Sequence, residues 1–166
     1  MNHTISILVR NEAGVLSRVA GLFSGRGFNI ESLTVAPTTD PDFSRMTIVT
    51  TADNDVIEQI DKQLNRLIPV IKVSDLKIDE AIERELVFIK VQPKDEEREQ
   101  ILAIAGTTNA KVIDVTDKTY TLLSVGDAKQ INALIELLKP LGIKELVRSG
   151  KVAISKGNQF NQLKNL

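Results

Sequence analysis

The chain has 166 residues, which is enough for one ordinary domain or for two small ones. Its formal net charge is -1, so it carries no large positive field that would hold nucleic acid or an anionic membrane. It contains no cysteine, which excludes disulfides, thiolate metal sites and a cysteine nucleophile, and its single histidine, His3, leaves little for a histidine-based metal site or catalytic triad. The N-terminus does not resemble a signal peptide and no apolar run approaches the length of a membrane span, so we expect a cytoplasmic protein.

The first half of the chain alternates apolar strands with amphipathic helices. Strands are predicted at residues 4–10, 28–35, 44–51 and 70–78. A first helix is predicted to begin at Gly14 and to end near Gly25, and a second follows Asp53 and ends before Pro69. The apolar face of the second helix is predicted to consist of Val56, Ile57, Ile60, Leu64, Leu67 and Ile68. The order strand, helix, strand, strand, helix, strand is that of a ferredoxin-like unit.

The same order of elements begins again after residue 84. Strands are predicted at 86–91, 111–115, 120–125 and within 143–154, with two helices between them. The first of these helices is predicted to carry Ile101, Leu102 and Ala105, and the second Ile131, Leu134, Ile135 and Leu138. The predicted fold is therefore α+β, with two ferredoxin-like βαββαβ domains in tandem. We place the domains at residues 1–78 and 85–155, joined by a linker at 79–84, and we expect a flexible tail at 156–166.

A candidate ligand site lies where the first strand meets the first helix. The first turn of a helix has unpaired N–H donors and a partial positive charge, and Gly14 would let a carboxylate approach that backbone. Asn11 could cap the turn, and Asn29, at the start of the next predicted strand, could bring a second carboxamide to the same opening. Turn chemistry also explains these residue types, so spacing alone favours an ordinary helix start.

Three classes of function can be weighed against the residues. For an enzyme, the carboxylates fall at predicted helix starts or in the linker, where capping and solubility explain them. For an RNA-recognition module, the central strand at 44–50 carries no aromatic residue for base stacking, and Tyr120 alone occupies the corresponding strand of the second half. For a ligand sensor, the helix start with two flanking carboxamides suits a small apolar amino acid.

The second half supplies an internal contrast at the corresponding helix. That helix begins with Asp95, Glu96 and Glu97, whose charges would repel a carboxylate ligand from the positive helix end. We therefore predict one type of ligand site, in the first half only.

The segment from Asn11 to Arg18, followed by 21–24, 26–38 and 44–48, closely resembles the small, regulatory subunit of acetohydroxyacid (acetolactate) synthase. The similarity is dense through the first half and extends as shorter matches at 83–86, 113–116, 120–121 and 148–150. It implies an ACT domain at residues 1–78, which senses an amino acid, followed by the second ferredoxin-like domain.

The resemblance also implies a partner and a site. Such subunits are not catalytic; they bind and activate the large catalytic subunit, which holds thiamine diphosphate, a divalent metal and FAD, and they make it sensitive to valine. No cofactor or metal is expected in this chain, and neither nucleic acid nor membrane is expected as a partner. ACT domains of this family form homodimers whose sheets join side by side, with the effector between the chains. The effector-binding residues implied here are Asn11, Ala13, Gly14, Val15, Leu16, Asn29 and Ile30.

Three choices stay open from the sequence: the enzyme that is regulated, the role of one loop, and the amino acid that is sensed. An ACT-bearing sensor could regulate an enzyme other than acetolactate synthase. The loop at residues 37–43 is either a contact with the catalytic subunit or an ordinary flexible hairpin loop. Valine, isoleucine and leucine differ by too little apolar surface for the sequence to choose between them.

Overall fold

The computed structural model describes residues 2–157, apart from the side chain of Ile78. The chain divides into two compact units, one formed by residues up to 83 together with residues 151–157, and the other by residues 84–150. Most of the predicted flexible tail, residues 158–166, lies outside the described part.

The first unit has the predicted order of elements. Its sheet is antiparallel with strand order β2-β3-β1-β4, so β1 lies in the interior and β2 forms one edge. Both helices pack on one face of this sheet, as in a ferredoxin-like domain. The elements are β1 (Asn2–Arg10), α1 (Val15–Ser24), β2 (Ser32–Pro37), β3 (Phe43–Thr51), α2 (Asn54–Leu64) and β4 (Val70–Leu76).

The core of the first unit follows from the two periodicities of the sequence. Alternate residues of β1 point toward the helices, and α1 contributes residues four positions apart. The fully or nearly fully buried members are Ile5, Ile7, Val9, Val15, Val19, Phe23, Met46, Ile48, Ile57, Ile60 and Leu64.

The opposite face of the first sheet is also buried, although its residues include polar ones. Thr4, Ser6 and Thr47 are each less than 5% exposed. The unit itself provides partners there: the Thr4 hydroxyl donates to the Glu83 carboxylate (2.7 Å), and Lys151 Nζ lies 2.8 Å from Glu83 Oε2. Loss of one partner of this largely buried pair would leave a poorly solvated charge beside the sheet.

The second unit repeats the topology with the strand order β6-β7-β5-β8. Its elements are β5 (Ala81–Val91), α3 (Arg98–Thr107), β6 (Lys111–Val115), β7 (Tyr120–Gly126), α4 (Ala128–Leu138) and β8 (Ile143–Ser155), of which the first residues of β5 and the last of β8 fall in the first unit. Within the second unit, the Arg148 guanidinium donates two hydrogen bonds to the nearly buried Glu85 carboxylate (2.7 and 2.6 Å), and these bonds raise the pKa of Arg148.

Several predicted boundaries differ from the observed ones. Strand β2 begins at Ser32 rather than at residue 28, so Asn29 and Ile30 lie in the connection that follows α1. Residues 81–84 of the predicted linker are the first residues of β5, because this strand begins in the first unit and continues into the second without an intervening loop. Residues 151–155, which we placed in the second domain, belong to the first unit.

Two residues assigned to apolar helix faces are exposed. Helix α2 ends at Leu64, and the prediction for Ile68 is wrong because it lies in the turn before β4 with its side chain 91% exposed. Leu102 is 53% exposed, because Ile101, Ile104 and Ala105 form the buried side of α3.

The contrast between Ile60 and Ile68 gives a test of the core. Ile60→Ala should lower the free energy of unfolding of the first unit by about 2–5 kcal/mol, because it removes fully buried methyl groups and leaves a cavity. Ile68→Ala is the matched control and should change it by less than about 0.5 kcal/mol. Urea denaturation followed by far-UV circular dichroism measures both, and equal losses would contradict the described end of α2.

Candidate ligand-binding site

The junction between β1 and α1 is shaped by the conformation of Gly14. This residue has φ 83° and ψ −6°, in the left-handed region that glycine adopts without strain. Apart from its two neighbours in the chain, no residue has an atom within 4 Å of a β-carbon placed there, so the space beside its backbone is open. Gly14 is the N-cap of α1, and it cannot cap the helix with a side chain.

The first turn of α1 therefore retains donors for a ligand. It contains no acidic residue, and no side chain caps it. The Val15 N–H points to the Glu12 carbonyl at a long 3.4 Å, and the Arg18 N–H donates to the Gly14 carbonyl at 3.0 Å. The amides between these two belong to Leu16 and Ser17. In the first turn of a helix such amides have no carbonyl of the same helix as a hydrogen-bond acceptor. A carboxylate placed there would also be favoured by the helix dipole.

The helix starts of the second unit differ from that of α1 in their acidic residues: Glu97 is the N-cap of α3 and Glu99 lies in its first turn, although no side chain caps α3, and Asp127 is the N-cap of α4. Glu97, which ends the short turn at 95–97 before α3, accepts a hydrogen bond from the Lys94 amide (2.8 Å). Asp127 caps α4 by accepting from the Gln130 amide (2.9 Å). Neither α1 nor α3 has a side-chain cap, so their starts differ in nearby negative charge, and the single ligand site in the first half stays a prediction.

Asn11 has a different role from the predicted one. Its side chain does not cap α1; instead its Nδ2 donates to the Pro41 carbonyl (2.9 Å), and its amide donates to the Asp42 carbonyl (2.7 Å). The prediction of a capping role for Asn11 is therefore wrong, because the carboxamide is drawn to the turn between β2 and β3. It remains at the β1–α1 junction, close in sequence to Gly14.

The remaining predicted site residues differ in accessibility. Ala13 is exposed, and Leu16 has a 42% exposed side chain at the first turn of α1. Val15 is only 3% exposed and belongs to the core, so it could contribute its backbone but not its side chain to a ligand.

Asn29 and Ile30 lie at the other end of the sheet. The Asn29 carbonyl accepts a hydrogen bond from the Thr50 hydroxyl (2.6 Å), and Thr50 pairs with His3 at the start of β1. The Gly14 junction follows Arg10, which pairs with Phe43 at the opposite end. At a rise of about 3.3 Å per residue, the two ends of β1 are about 26 Å apart. A single chain therefore does not bring Asn29 to the opening beside Gly14, contrary to the simple prediction.

A groove of about 280 Å³ on the other face of the sheet was not predicted. Arg45 lies in it, half-buried, and burial lowers the pKa of its guanidinium. The alternation of residues along β2 and β3 could have indicated one wall, but Val152 comes from far along the chain. The groove is lined by Thr34, Ala36, Pro37, Thr38, Thr39, Arg45, Thr47 and Val152.

The described residues contain neither a metal-binding cluster nor a membrane-spanning helix. Across residues 2–157 no group of three or more histidine, aspartate or glutamate side chains is arranged to hold a metal ion. Within the same range no helix has the length and apolar character needed to cross a membrane.

Two protein-family models match the chain, one on each half. A model described as the ACT domain of AHAS small-subunit-like proteins matches residues 5–72, and one described as the small subunit of acetolactate synthase matches residues 84–157. The first match contains the whole β1–α1 junction and the connection that holds Asn29.

Relatives are similar over nearly the whole length. The chain is 48% identical over 159 residues to a probable acetolactate synthase small subunit of Archaeoglobus fulgidus, covering 96% of this chain and 99% of that protein. It is 49% identical over 164 residues to the acetolactate synthase small subunit of Aquifex aeolicus, covering 98% and 85%. The crystal structure of the acetolactate synthase small subunit from Thermotoga maritima is 36% identical, with a TM-score of 0.88 over 96% of this chain and 99% of that one. The chain belongs to the family of acetolactate synthase small subunits, with an N-terminal ACT domain.

Proposed function

We propose that this chain is the regulatory subunit of an acetolactate synthase, that it binds and activates the catalytic subunit, and that it confers feedback inhibition by valine. The observation that carries the proposal is the uncapped start of α1 at Gly14, inside the part of the chain that matches the ACT-domain model. In such an assembly the catalytic centre would lie in the large subunit and not in this chain. Thiamine diphosphate, the divalent metal and FAD belong to the large subunit, and the assembly works in the cytoplasm.

Valine would be recognised by its charged ends and by its small apolar side chain. Its carboxylate would accept hydrogen bonds from the amide of Gly14, the N-cap of α1, and from the amide of Leu16 in the first turn, where the helix dipole adds a favourable field. The partly exposed side chain of Leu16 would provide apolar contact, and the carboxamide of Asn11 would bind a polar group of the ligand.

A homodimer would complete the site that one chain leaves divided. Strand β2 is an edge strand of the first sheet. If two β2 strands pair antiparallel about a twofold axis, the start of each strand meets the end of the other. Asn29 precedes the start of β2. The end of β2 lies on the same side of the sheet as Gly14, because Pro37 pairs with Ser44 and the neighbouring Phe43 pairs with Arg10. Asn29 of one chain would then lie beside the Gly14 junction of the other.

The backbone of β2 is suited to such pairing. The Thr38 amide donates to the Phe43 carbonyl (2.9 Å), and this pair continues the register of β2 with β3. Alternate residues of an antiparallel strand bond to the same neighbour, so the N–H and C=O groups of Val35 are directed to the free edge. Pro37, like Val35, directs its backbone away from β3, so its lack of an N–H removes no hydrogen bond between β2 and β3.

Regulation would follow from linkage between the sites. Valine at the dimer interface would favour one arrangement of the two ACT domains, and the catalytic subunit would be activated by another. Allosteric couplings of this kind are typically about 1–3 kcal/mol. Binding of the catalytic subunit and binding of valine must then alter each other's affinity by the same factor.

The first test is calorimetric titration of the purified chain with L-valine. We expect saturable binding of L-valine but not of D-valine or lysine. Gly14→Asp should abolish it, because a carboxylate at the helix start repels the ligand and fills its space.

Two controls separate charge from backbone effects. Gly14→Ala disfavours the left-handed conformation by about 1–2 kcal/mol without adding charge, and should weaken binding less than Gly14→Asp does. Gly106→Asp adds the same charge at an exposed position of the second unit and should leave binding unchanged. Full valine binding by Gly14→Asp would show that the site is elsewhere. Absence of binding to the wild-type chain, alone and with the catalytic subunit, would contradict the proposed sensing function.

The second test concerns dimerisation through β2. Val35→Pro removes an N–H from the free edge while leaving the bonds to β3 in place, so we expect it to shift the chain from dimer toward monomer. Size-exclusion chromatography with light scattering measures the mass. Val35→Ala retains the N–H and should remain dimeric, and a fully dimeric Val35→Pro would exclude pairing through this edge.

A further inference from the structure

The turn between β2 and β3, residues 38–42, is held by its own side chains rather than by a core. The Thr38 hydroxyl donates to the Asp40 carbonyl (2.9 Å) and accepts from the Asp40 amide (3.1 Å). The Asp40 carboxylate accepts from the Asp42 amide (3.0 Å), and the Phe43 amide donates to the Asp40 carbonyl (3.1 Å). These bonds give an exposed turn one defined conformation.

Asn11 joins this turn to the candidate ligand site through two hydrogen bonds. Its amide donates to the Asp42 carbonyl (2.7 Å), and its Nδ2 donates to the Pro41 carbonyl (2.9 Å). The first bond fixes the backbone of residue 11, and the second fixes the plane of its carboxamide. An asparagine carboxamide has two N–H donors and an oxygen acceptor, so one donor and the acceptor remain for a ligand.

We propose that Thr38 and Asp40 are positioning residues for the effector site, because the turn that they hold orients the carboxamide of Asn11 toward the ligand. The inference rests on the proposed function and adds a regulatory element to it. A ligand that uses the oriented carboxamide stabilises the turn, and by linkage an ordered turn raises the affinity for the ligand. Effector occupancy is thereby transmitted to an exposed turn that a partner subunit can contact.

The second unit provides a matched comparison. Its corresponding turn, between β6 and β7, is also closed by threonine: the Thr119 amide donates to the Thr116 hydroxyl (2.9 Å), and the Thr116 amide donates to the Thr119 carbonyl (2.9 Å). This turn is joined to the start of α3 by the Arg98 guanidinium, which donates to the Asp117 carbonyl. Both units thus connect this turn to the segment that begins their first helix, but only the first unit does so through a residue of the candidate site.

The experiment compares Thr38→Val with Thr116→Val in the full-length chain. Thr38→Val removes the hydroxyl that closes the first turn, and we expect the affinity for L-valine to fall about two- to tenfold, the range for a lost side-chain hydrogen bond. Thr116→Val removes the equivalent hydroxyl of the second turn and should leave the affinity unchanged. Thr38→Ser retains the hydroxyl and should restore wild-type affinity. Asp40→Ala, which removes only the bond to the Asp42 amide, should weaken binding in the same direction.

Hydrogen exchange provides a second readout on the wild-type chain. Saturating L-valine should slow exchange of the amides at residues 38–43 and leave those at 116–119 unchanged. The positioning role would be overturned if valine bound normally but did not change exchange at 38–43, and if Thr38→Val and Asp40→Ala had the same valine affinity as Thr116→Val. That result would leave the proposed function intact. Tighter binding by Thr38→Val would also overturn it, since the turn would then compete for Asn11. Absence of valine binding to the wild-type chain, alone and with the catalytic subunit, would contradict both proposals.

Discussion

The left-handed conformation of Gly14 is the constraint on which the candidate site depends. It allows β1 to pass into α1 in a short turn, and it leaves the helix start without a side-chain cap. Any residue with a β-carbon would strain this backbone, even though the space around it is open. The constraint is therefore one of conformation rather than of packing. The same short passage keeps Asn11 beside the helix start, where its carboxamide reaches the turn at residues 38–42.

The sequence specifies the core of the first unit well, but only on one face of its sheet. Helical spacing predicted Ile57, Ile60 and Leu64 on the apolar face of α2, and all three are buried. Burial of Thr4 was not predictable, because its partners Glu83 and Lys151 are brought beside it by strands that start or end far along the chain. Periodicity reports which residues share a face, but it does not report what a remote segment places on that face.

The errors at the candidate site have the same physical origin. The residue types at Asn11 and Gly14 correctly indicated a turn, yet the acceptor of the Asn11 side chain lies in a hairpin turn 30 residues away, which no local pattern contains. The predicted meeting of Asn29 with Gly14 failed within one chain because α1 returns the chain to the opposite end of the sheet before β2 begins. Spacing in sequence indicated two carboxamides near strand ends, whereas topology determines which end each of them occupies.

The two units share a topology but differ in the chemistry of their helix starts, which argues that function here resides in junctions rather than in the fold. The second unit places Glu97 and Glu99 at the start of α3 and caps α4 with Asp127, whereas the start of α1 has neither an acidic residue nor a side-chain cap. In the proposed dimer, a second constraint is added, because each site takes its Gly14 junction from one chain and Asn29 from the other. Neither chain alone would then bind the effector with full affinity. Ligand binding would consequently favour the paired arrangement of the sheets, so the site would report on the state of the assembly as well as on the concentration of the amino acid.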